Sequence, residues 1–194
     1  MTGDRFQLVG GNPALDFLNT VHNWTVAEPE DRLPAFRDAL RFGEAAGILS
    51  RSEARRLRTR PTKGELSRLW ELRARLERIF RALVSAKAPP PGDLEMLDRD
   101  GAAAARAARL RRAGRQLTRA IDVDTAGAAA LRWRIVEAAV VLLTSAQLER
   151  VKACPNCGWF FLDTSKNRSR RWCSMAMCGT NAKAHAYYWR HNRR

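Results

Sequence analysis

The stretch that decides the fold of the C-terminal region is CPNCGWFFLDTSKNRSRRWCSMAMCGT, residues 154–180. It holds all four cysteines of the chain, as C-x2-C, fifteen intervening residues and then C-x4-C. A C-x2-C turn curls its backbone around two thiolate sulfurs, and a second pair completes a tetrahedron of sulfurs about 2.3 Å from a zinc ion. The spacing therefore predicts one structural Zn²⁺ with the ligands Cys154, Cys157, Cys173 and Cys178.

Two disulfides and a redox-active C-x2-C pair are the competing interpretations of these cysteines. A reducing cytosol disfavours disulfides, and a redox pair leaves Cys173 and Cys178 without a role. Four thiolates leave no coordination position for water, which argues against metal catalysis. The sequence also has no phosphate-binding loop, dinucleotide fingerprint or nucleophile elbow, so an enzyme is the weakest hypothesis and no catalytic residue is assigned.

Positive charge is concentrated at the C-terminal end of the chain. The 194 residues carry a net charge of +15, and residues 150–194 hold ten Lys and Arg against Asp163 alone. Such a surface suits phosphates, and DNA is the expected partner, although a solvated basic face is the alternative. The aromatic residues between the cations are expected to form the core of the module. The predicted nucleic-acid-binding residues are Lys166, Arg168, Arg170, Arg171, Lys183, Arg190, Arg193 and Arg194.

Residues 1–150 are expected to form a helical domain with a short β element. After a strand at 5–9, helices are predicted to begin at Asn12-Pro13, Pro34, Ser50, and near residues 62 and 92, with a hairpin as one interpretation of 108–121. A long, mostly apolar helix is predicted over 124–151. The fold class is therefore mainly α, followed by a small zinc-ribbon-like module at 151–194 with a basic C-terminal helix.

Four polar residues lie in the otherwise apolar first helix and just after it. Asp16, Asn19, Thr20 and His22 either line a ligand pocket or hydrogen-bond the helix to its neighbours, and the second interpretation is favoured. No basic-then-apolar leader precedes them, and the longest aliphatic run, residues 138–143, is too short to span a membrane. A cytoplasmic location is expected.

Residues 154–183 resemble the CGNR-type zinc finger, a bacterial module. The matching residues are Trp159, Phe161, Asp163, Ser165, Asn167, Ser169, Arg170, Arg171 and Cys173. The segment GNPALDFLNTV, residues 11–21, and the helices after it resemble the ABATE domain of stress-induced transcription regulators. One departure is that the tetrad Cys-Gly-Asn-Arg reads Cys178-Gly179-Thr180-Asn181 here, which puts an anion contact by that arginine in doubt.

The resemblance implies a zinc-binding transcription regulator whose N-terminal domain senses a ligand or partner. A small-molecule effector and a homodimer stay open as further partners. The alternative hypothesis is a small-molecule- or protein-binding helical domain with a purely structural zinc cap and no specific nucleic-acid binding.

Overall fold

Local capping signals set where the first helices begin. In the computed structural model, which describes residues 6–22, 26–60 and 62–191, the Asn12 side chain accepts a hydrogen bond from the Ala14 N–H at 2.9 Å, and Pro13 opens the helix. Ser50 and Glu53 form a capping box in which each side chain accepts from the other residue's backbone N–H. The helices of this half are α1 (Pro13–Leu18), α2 (Phe36–Ala45), α3 (Arg51–Arg58) and α4 (Glu65–Val84).

Strand pairs and further helices complete the N-terminal domain. A short antiparallel pair, β1 (Val21–His22) with β2 (Glu30–Asp31), follows α1. Helix α5 (Pro91–Ala107) runs directly into a hairpin of β3 (Ala108–Ala113) and β4 (Gln116–Ile121). Then come α6 (Val123–Ala126), α7 (Ala129–Leu143) and a 3₁₀ helix (Ala146–Arg150). None of the described helices has both the length and the apolar character needed to cross a bilayer.

The C-terminal module begins with a hairpin and ends with a helix. Strands β5 (Val151–Ala153) and β6 (Phe160–Leu162) pair antiparallel, and a π-helix (Met175–Gly179) leads into α8 (Thr180–His191). Helices dominate the described residues, and the sheets are two-stranded. The predicted mainly α fold class is confirmed.

Helices α4 and α7 supply much of the core, with α1 packed against both. Leu72 and Leu76 of α4 and Ile135 of α7 are completely or almost completely buried, as their helical spacing predicts. The buried Arg132 of α7 pairs with Glu65 at 3.3 Å and with Asp100 at 3.0 Å, which ties α7 to α4 and α5.

Two predicted elements are wrong. The strand predicted over residues 5–9 does not form within residues 6–9, and Arg5 lies outside the described residues. The next residue, Gly10, contacts strand β6 through its carbonyl, which accepts a hydrogen bond from the Leu162 N–H at 2.8 Å. The long helix at 124–151 is divided, because Gly127 leaves the helical conformation with a φ of 57° and because α7 ends at Leu143 and a separate 3₁₀ helix follows. A strand, not a helix, therefore leads into Cys154.

Candidate metal centre and nucleic-acid interface

The β5–β6 hairpin places the first pair of cysteines. Its register pairs Ala153 with Phe160, and Cys154 follows immediately after the last residue of β5. The Cys154 N–H donates to the Trp159 carbonyl at 2.8 Å, and the Gly158 N–H donates to the Cys154 carbonyl at 2.8 Å. This tight turn brings Cys154 and Cys157 to the same end of the hairpin.

The π-helix places the second pair. Ser174 caps it by accepting a hydrogen bond from the Met177 N–H at 3.4 Å, so that Cys173 lies just before the turn and Cys178 within it. Single π-turns often occur at functional sites. Here the turn returns Cys178 to the side of Cys173.

The four thiols converge on one point. The Sγ atoms of Cys157, Cys173 and Cys178 are 3.5–3.6 Å apart, and all four sulfurs lie within 4.8 Å of one another. Sulfurs about 2.3 Å from a shared tetrahedral ion are about 3.8 Å apart, whereas a disulfide requires about 2.05 Å. All four cysteines are buried and free. Their arrangement fits a four-thiolate metal site and not two disulfides.

The pKa values of the clustered cysteines also favour a bound cation. Hydrogen bonds from Cys157 and Cys173 lower the pKa of Cys154. Cys154, together with burial, raises the pKa of Cys157 to about 12, and Cys154 and Cys157 raise the pKa of Cys173 well above its usual range. The thiols therefore compete for negative charge, and a bound divalent ion removes the competition by stabilising all four thiolates.

Aromatic residues surround the cluster. Trp159 and Phe161 are completely buried beside the cysteines, and the Trp159 Nε1–H donates to the Val21 carbonyl at 2.7 Å. Phe160 is equally buried but packs into the core of the helical domain. The predicted role in the core of the module is confirmed for Trp159 and Phe161, whereas Phe160 belongs to the core of the helical domain. Trp172 is half-buried, Tyr188 is 57% exposed, and the side chain of Trp189 lies outside those described.

A buried carboxylate holds the loop between the two cysteine pairs. Asp163 accepts hydrogen bonds from Lys152 Nζ at 2.6 Å, from the Ser165 hydroxyl at 2.6 Å, and from the N–H groups of Ser165 and Arg170 at 3.0 Å. The bonds from Lys152 and Ser165 hold the pKa of Asp163 below its usual range. Lys152 Nζ also donates to the Arg168 carbonyl. The loop over 164–171 is thus tied to β5 as well as to the cysteines.

Arg170 lies inside this network. Its guanidinium donates to the carbonyls of Trp172 at 3.0 Å, Val9 at 3.3 Å and Cys173, and packs over the Phe161 ring at 4.6 Å. A guanidinium engaged in this way has few N–H groups left for a phosphate. The structure therefore places Arg170 as a stabilising residue, which differs from the phosphate contact that the sequence predicted.

Two family models match the chain. Residues 11–146 match ABATE, described as "Putative stress-induced transcription regulator", and residues 150–191 match the CGNR zinc finger. The chain belongs to the ABATE family. The order of the two matches confirms the resemblance inferred from the sequence. No curated protein matches the chain.

The ABATE and CGNR parts share hydrogen bonds across α1 and β6. The Asn19 Nδ2–H donates to the Phe160 carbonyl at 2.8 Å, and the Phe160 N–H donates to Asn19 Oδ1 at 3.0 Å. Both groups of the Asn19 amide are therefore used by one residue of β6. The internal contact therefore accounts for the polar side chain of Asn19 in the ABATE motif, residues 11–21, without a ligand.

The other three polar residues in and just after helix α1, Asp16, Thr20 and His22, also have internal partners. Asp16 Oδ1 accepts from the Gly10 N–H at 2.8 Å, and burial raises the pKa of Asp16 to about 6. Thr20 Oγ1 donates to the Phe17 carbonyl at 2.6 Å and accepts from Arg73 at 2.8 Å. His22 lies 3.1 Å from Arg32 Nη2 and edge-on to Trp159. A cavity of about 170 Å³ beside the cysteines touches His22 but none of the other three.

Among the described side chains, four of the predicted phosphate-binding cations lie at the surface of the CGNR module. Lys166, Arg171 and Lys183 are exposed, and Arg168 is exposed with Glu149 3.4 Å away. The side chain of Arg190 is outside the described part of the chain, as are the residues Arg193 and Arg194. Asn181, where the family tetrad has arginine, lies at the start of α8 and lines the small cavity.

Sequence reasoning missed the structural cations Arg150 and Lys152. Arg150 Nη1 donates to the carbonyls of Asp163 and Ser165, and Lys152 pairs with Asp163. Asp163 is the only acidic residue between 150 and 194. A single carboxylate among ten cations indicates that some of these cations pair with it inside the protein.

Proposed function

We propose that this protein is a zinc-dependent DNA-binding regulator. Its CGNR module holds one Zn²⁺ and presents cations to the DNA backbone, and its ABATE domain senses a ligand or partner. The observation that carries the proposal is the basic loop between the two cysteine pairs of a four-thiol site. Four thiolates fill a tetrahedral ion, so we assign the metal a structural and not a catalytic part. Free thiols suit a reducing cytoplasm, where a DNA regulator also acts.

The exposed cations support contact with phosphates. Lys166, Arg168 and Arg171 lie on the loop over 164–171, which follows β6, leads to Cys173, and is held by the hydrogen bonds of Asp163 with Ser165 and Arg170. A pre-ordered loop loses less conformational entropy on binding than a free one. Lys183 lies on α8, two residues after Asn181. Among the described side chains, the proposed phosphate contacts are therefore Lys166, Arg168, Arg171 and Lys183, without Arg170. Arg190, Arg193 and Arg194 stay predicted contacts.

The metal is tested by elemental analysis of purified protein. We expect one zinc per chain, with Cys173→Ser and Cys178→Ser each losing it, since three thiolates leave the site open. An exposed position in the same loop, Ser169→Ala, provides the control and should keep full occupancy. A metal-free wild-type protein that is folded and stable would contradict the proposal.

DNA binding is tested by the salt dependence of affinity for duplex fragments. Each neutralised phosphate contributes a log–log slope of about −0.9. The pair Lys166→Glu and Arg171→Glu removes two proposed contacts, so the slope should become shallower by about 1.8 and the affinity should fall about tenfold or more. The matched control reverses two exposed lysines of the helical domain, Lys63→Glu and Lys87→Glu. Equal losses in both pairs would show a general charge effect and would contradict the assigned interface.

A groove in the helical domain favours the second candidate function, a small-molecule-binding domain with a zinc cap. The groove has a volume of about 450 Å³ and lies between α5, α7 and β4. It is lined by Asp98, Gly101, Ala102, Ala105, Arg119, Glu137, Val140 and Val141. That volume is within the range of small-molecule sites. A thermal-shift screen on the whole chain tests it: a hit weakened by Ala102→Trp, with wild-type DNA affinity unaltered, would favour this function.

A further inference from the structure

The β3–β4 hairpin stands out from the helical domain. Among the hairpin side chains that the structure describes, Ala108 and Ile121 at its base are the buried ones, whereas residues 109–112 and 114–119 are exposed. Gly114 and Arg115 form the turn between Ala113 and Gln116, which places Arg115 at the tip. The ribbon therefore offers two paired strands to a partner outside the domain.

The hairpin and the helix end before it are strongly basic. Residues 101–121 contain six arginines and no acidic residue. Arg111 pairs with Asp122, and Arg119 pairs with Glu137 at 2.7 Å. Arg112 uses only its Nε, which donates to the Gly114 carbonyl at 2.9 Å. The Nη groups of Arg112 and the guanidiniums of Arg106 and Arg115 have no polar partner among the described residues.

One face of the ribbon also carries exposed leucines. The register pairs Leu110 with Arg119 and Arg112 with Leu117, so these four side chains share a face. Leu110 is 70% exposed and Leu117 is 68% exposed. Apolar side chains at the centre of an otherwise cationic ribbon are more typical of a surface that a partner covers than of a solvated one.

The charge selects the kind of partner. Two copies of this hairpin would bring like charges together, which opposes self-association through it. A polyanion compensates the arginines, and the major groove of B-DNA admits a two-stranded β-ribbon. We infer that the β3–β4 hairpin is a second nucleic-acid-contacting element, a wing that acts alongside the CGNR module. This inference rests on the proposed function, because it assumes that DNA is the partner.

Reversing the charges of the wing tests the inference. Arg112→Glu and Arg115→Glu change exposed side chains only, so circular dichroism and the melting temperature should match the wild type. We expect duplex affinity to fall about tenfold or more and the log–log salt slope to become shallower by about 1.8. The charge-matched pair Lys63→Glu and Lys87→Glu should lose clearly less affinity at the same salt concentration.

The outcomes separate the wing from the proposed function. If the wild type binds DNA and Lys166→Glu with Arg171→Glu weakens it while the wing pair does not, the wing inference is overturned and the proposed function stands. Wild-type protein that binds no DNA overturns both. A dimer in sedimentation that Leu110→Ser with Leu117→Ser dissociates, combined with unaltered DNA affinity, would assign the hairpin to a protein partner and overturn the inference.

Discussion

Gly10, which directly precedes the ABATE motif at residues 11–21, shows at the residue scale why a glycine is needed before helix α1. A Cβ at this position would lie 2.9 Å from the Asp16 nitrogen and 2.9 Å from Leu15 Cβ. The N–H of Gly10 also donates to Asp16, and its carbonyl accepts from Leu162 of β6. Gly10 therefore lies in the contact between the helical domain and the CGNR module, where the backbone packs too closely to leave room for a Cβ atom.

We expect Gly10→Ala to destabilise the protein by about 1–3 kcal/mol, because the methyl group forces helix α1 or the preceding turn to shift. Gly92→Ala is the control, since a Cβ at Gly92 meets nothing within 4 Å and alanine favours a helix by about 0.5–1 kcal/mol. Urea unfolding of both variants measures the difference. Two variants of equal stability would mean that the turn relaxes freely around the added methyl.

Asp16 makes stability depend on pH in an identifiable direction. Burial raises the pKa of Asp16 from 3.8 to about 6, so the folded state binds more protons than the unfolded state between these two values. The contribution of Asp16 to stability is thus full below about pH 4 and is lost as the pH rises through about 6. Asp16→Asn retains an acceptor for the Gly10 N–H but cannot titrate.

The stability of Asp16→Asn relative to the wild type should rise by about 1 kcal/mol between about pH 5 and pH 7 and stay level above that. Taking the difference between the two proteins at each pH cancels the protons bound by the cysteines. The measurement is urea unfolding in the presence of zinc across this range. A difference that does not change with pH would show that Asp16 has an ordinary pKa in the folded protein.

At the element scale, the sequence predicts elements well where local signals agree. The spacing of Leu72, Leu76 and their neighbours predicted α4, and the cysteine spacing predicted the metal cluster, because each follows from short-range geometry. The division at Gly127 was missed because the apolar stripe runs on past a single glycine. The internal role of Arg170 was missed because it depends on the Val9 carbonyl, 161 positions earlier, and no local pattern encodes that contact.

The loop over 164–171 is an element whose order depends on Asp163. Asp163→Asn replaces one carboxylate oxygen by an NH₂ group, which cannot accept from Lys152 or from the Arg170 N–H. We expect trypsin to cleave after Lys166 or Arg168 several-fold faster in this variant with zinc still bound. Ser169→Ala, in the same loop, should be cleaved at the wild-type rate. Equal protection in all three proteins would show that the cysteines alone order the loop.

At the scale of the whole molecule, strand β6 belongs to two cores at once. Phe160 and Leu162 pack into the core of the helical domain, and Phe161 between them packs with Trp159 among the cysteines. Alternate residues of a strand point to opposite faces, so this three-residue strand joins the metal cluster to the domain without a linker. The order of β6 and the order of the cysteine cluster should therefore be lost together.

Removing the metal should then lower a single melting transition of the whole chain. An ion present at about a thousandfold its Kd stabilises the folded state by about 4 kcal/mol, which in a chain of this size shifts Tm by about 8–16 °C. A chelator should produce that shift in both helical circular dichroism and tryptophan fluorescence, and Cys154→Ser should melt at the lower temperature with or without chelator. If chelation changed the fluorescence while the helical transition kept its Tm, β6 would not couple the two parts, and the module would fold as an independent unit.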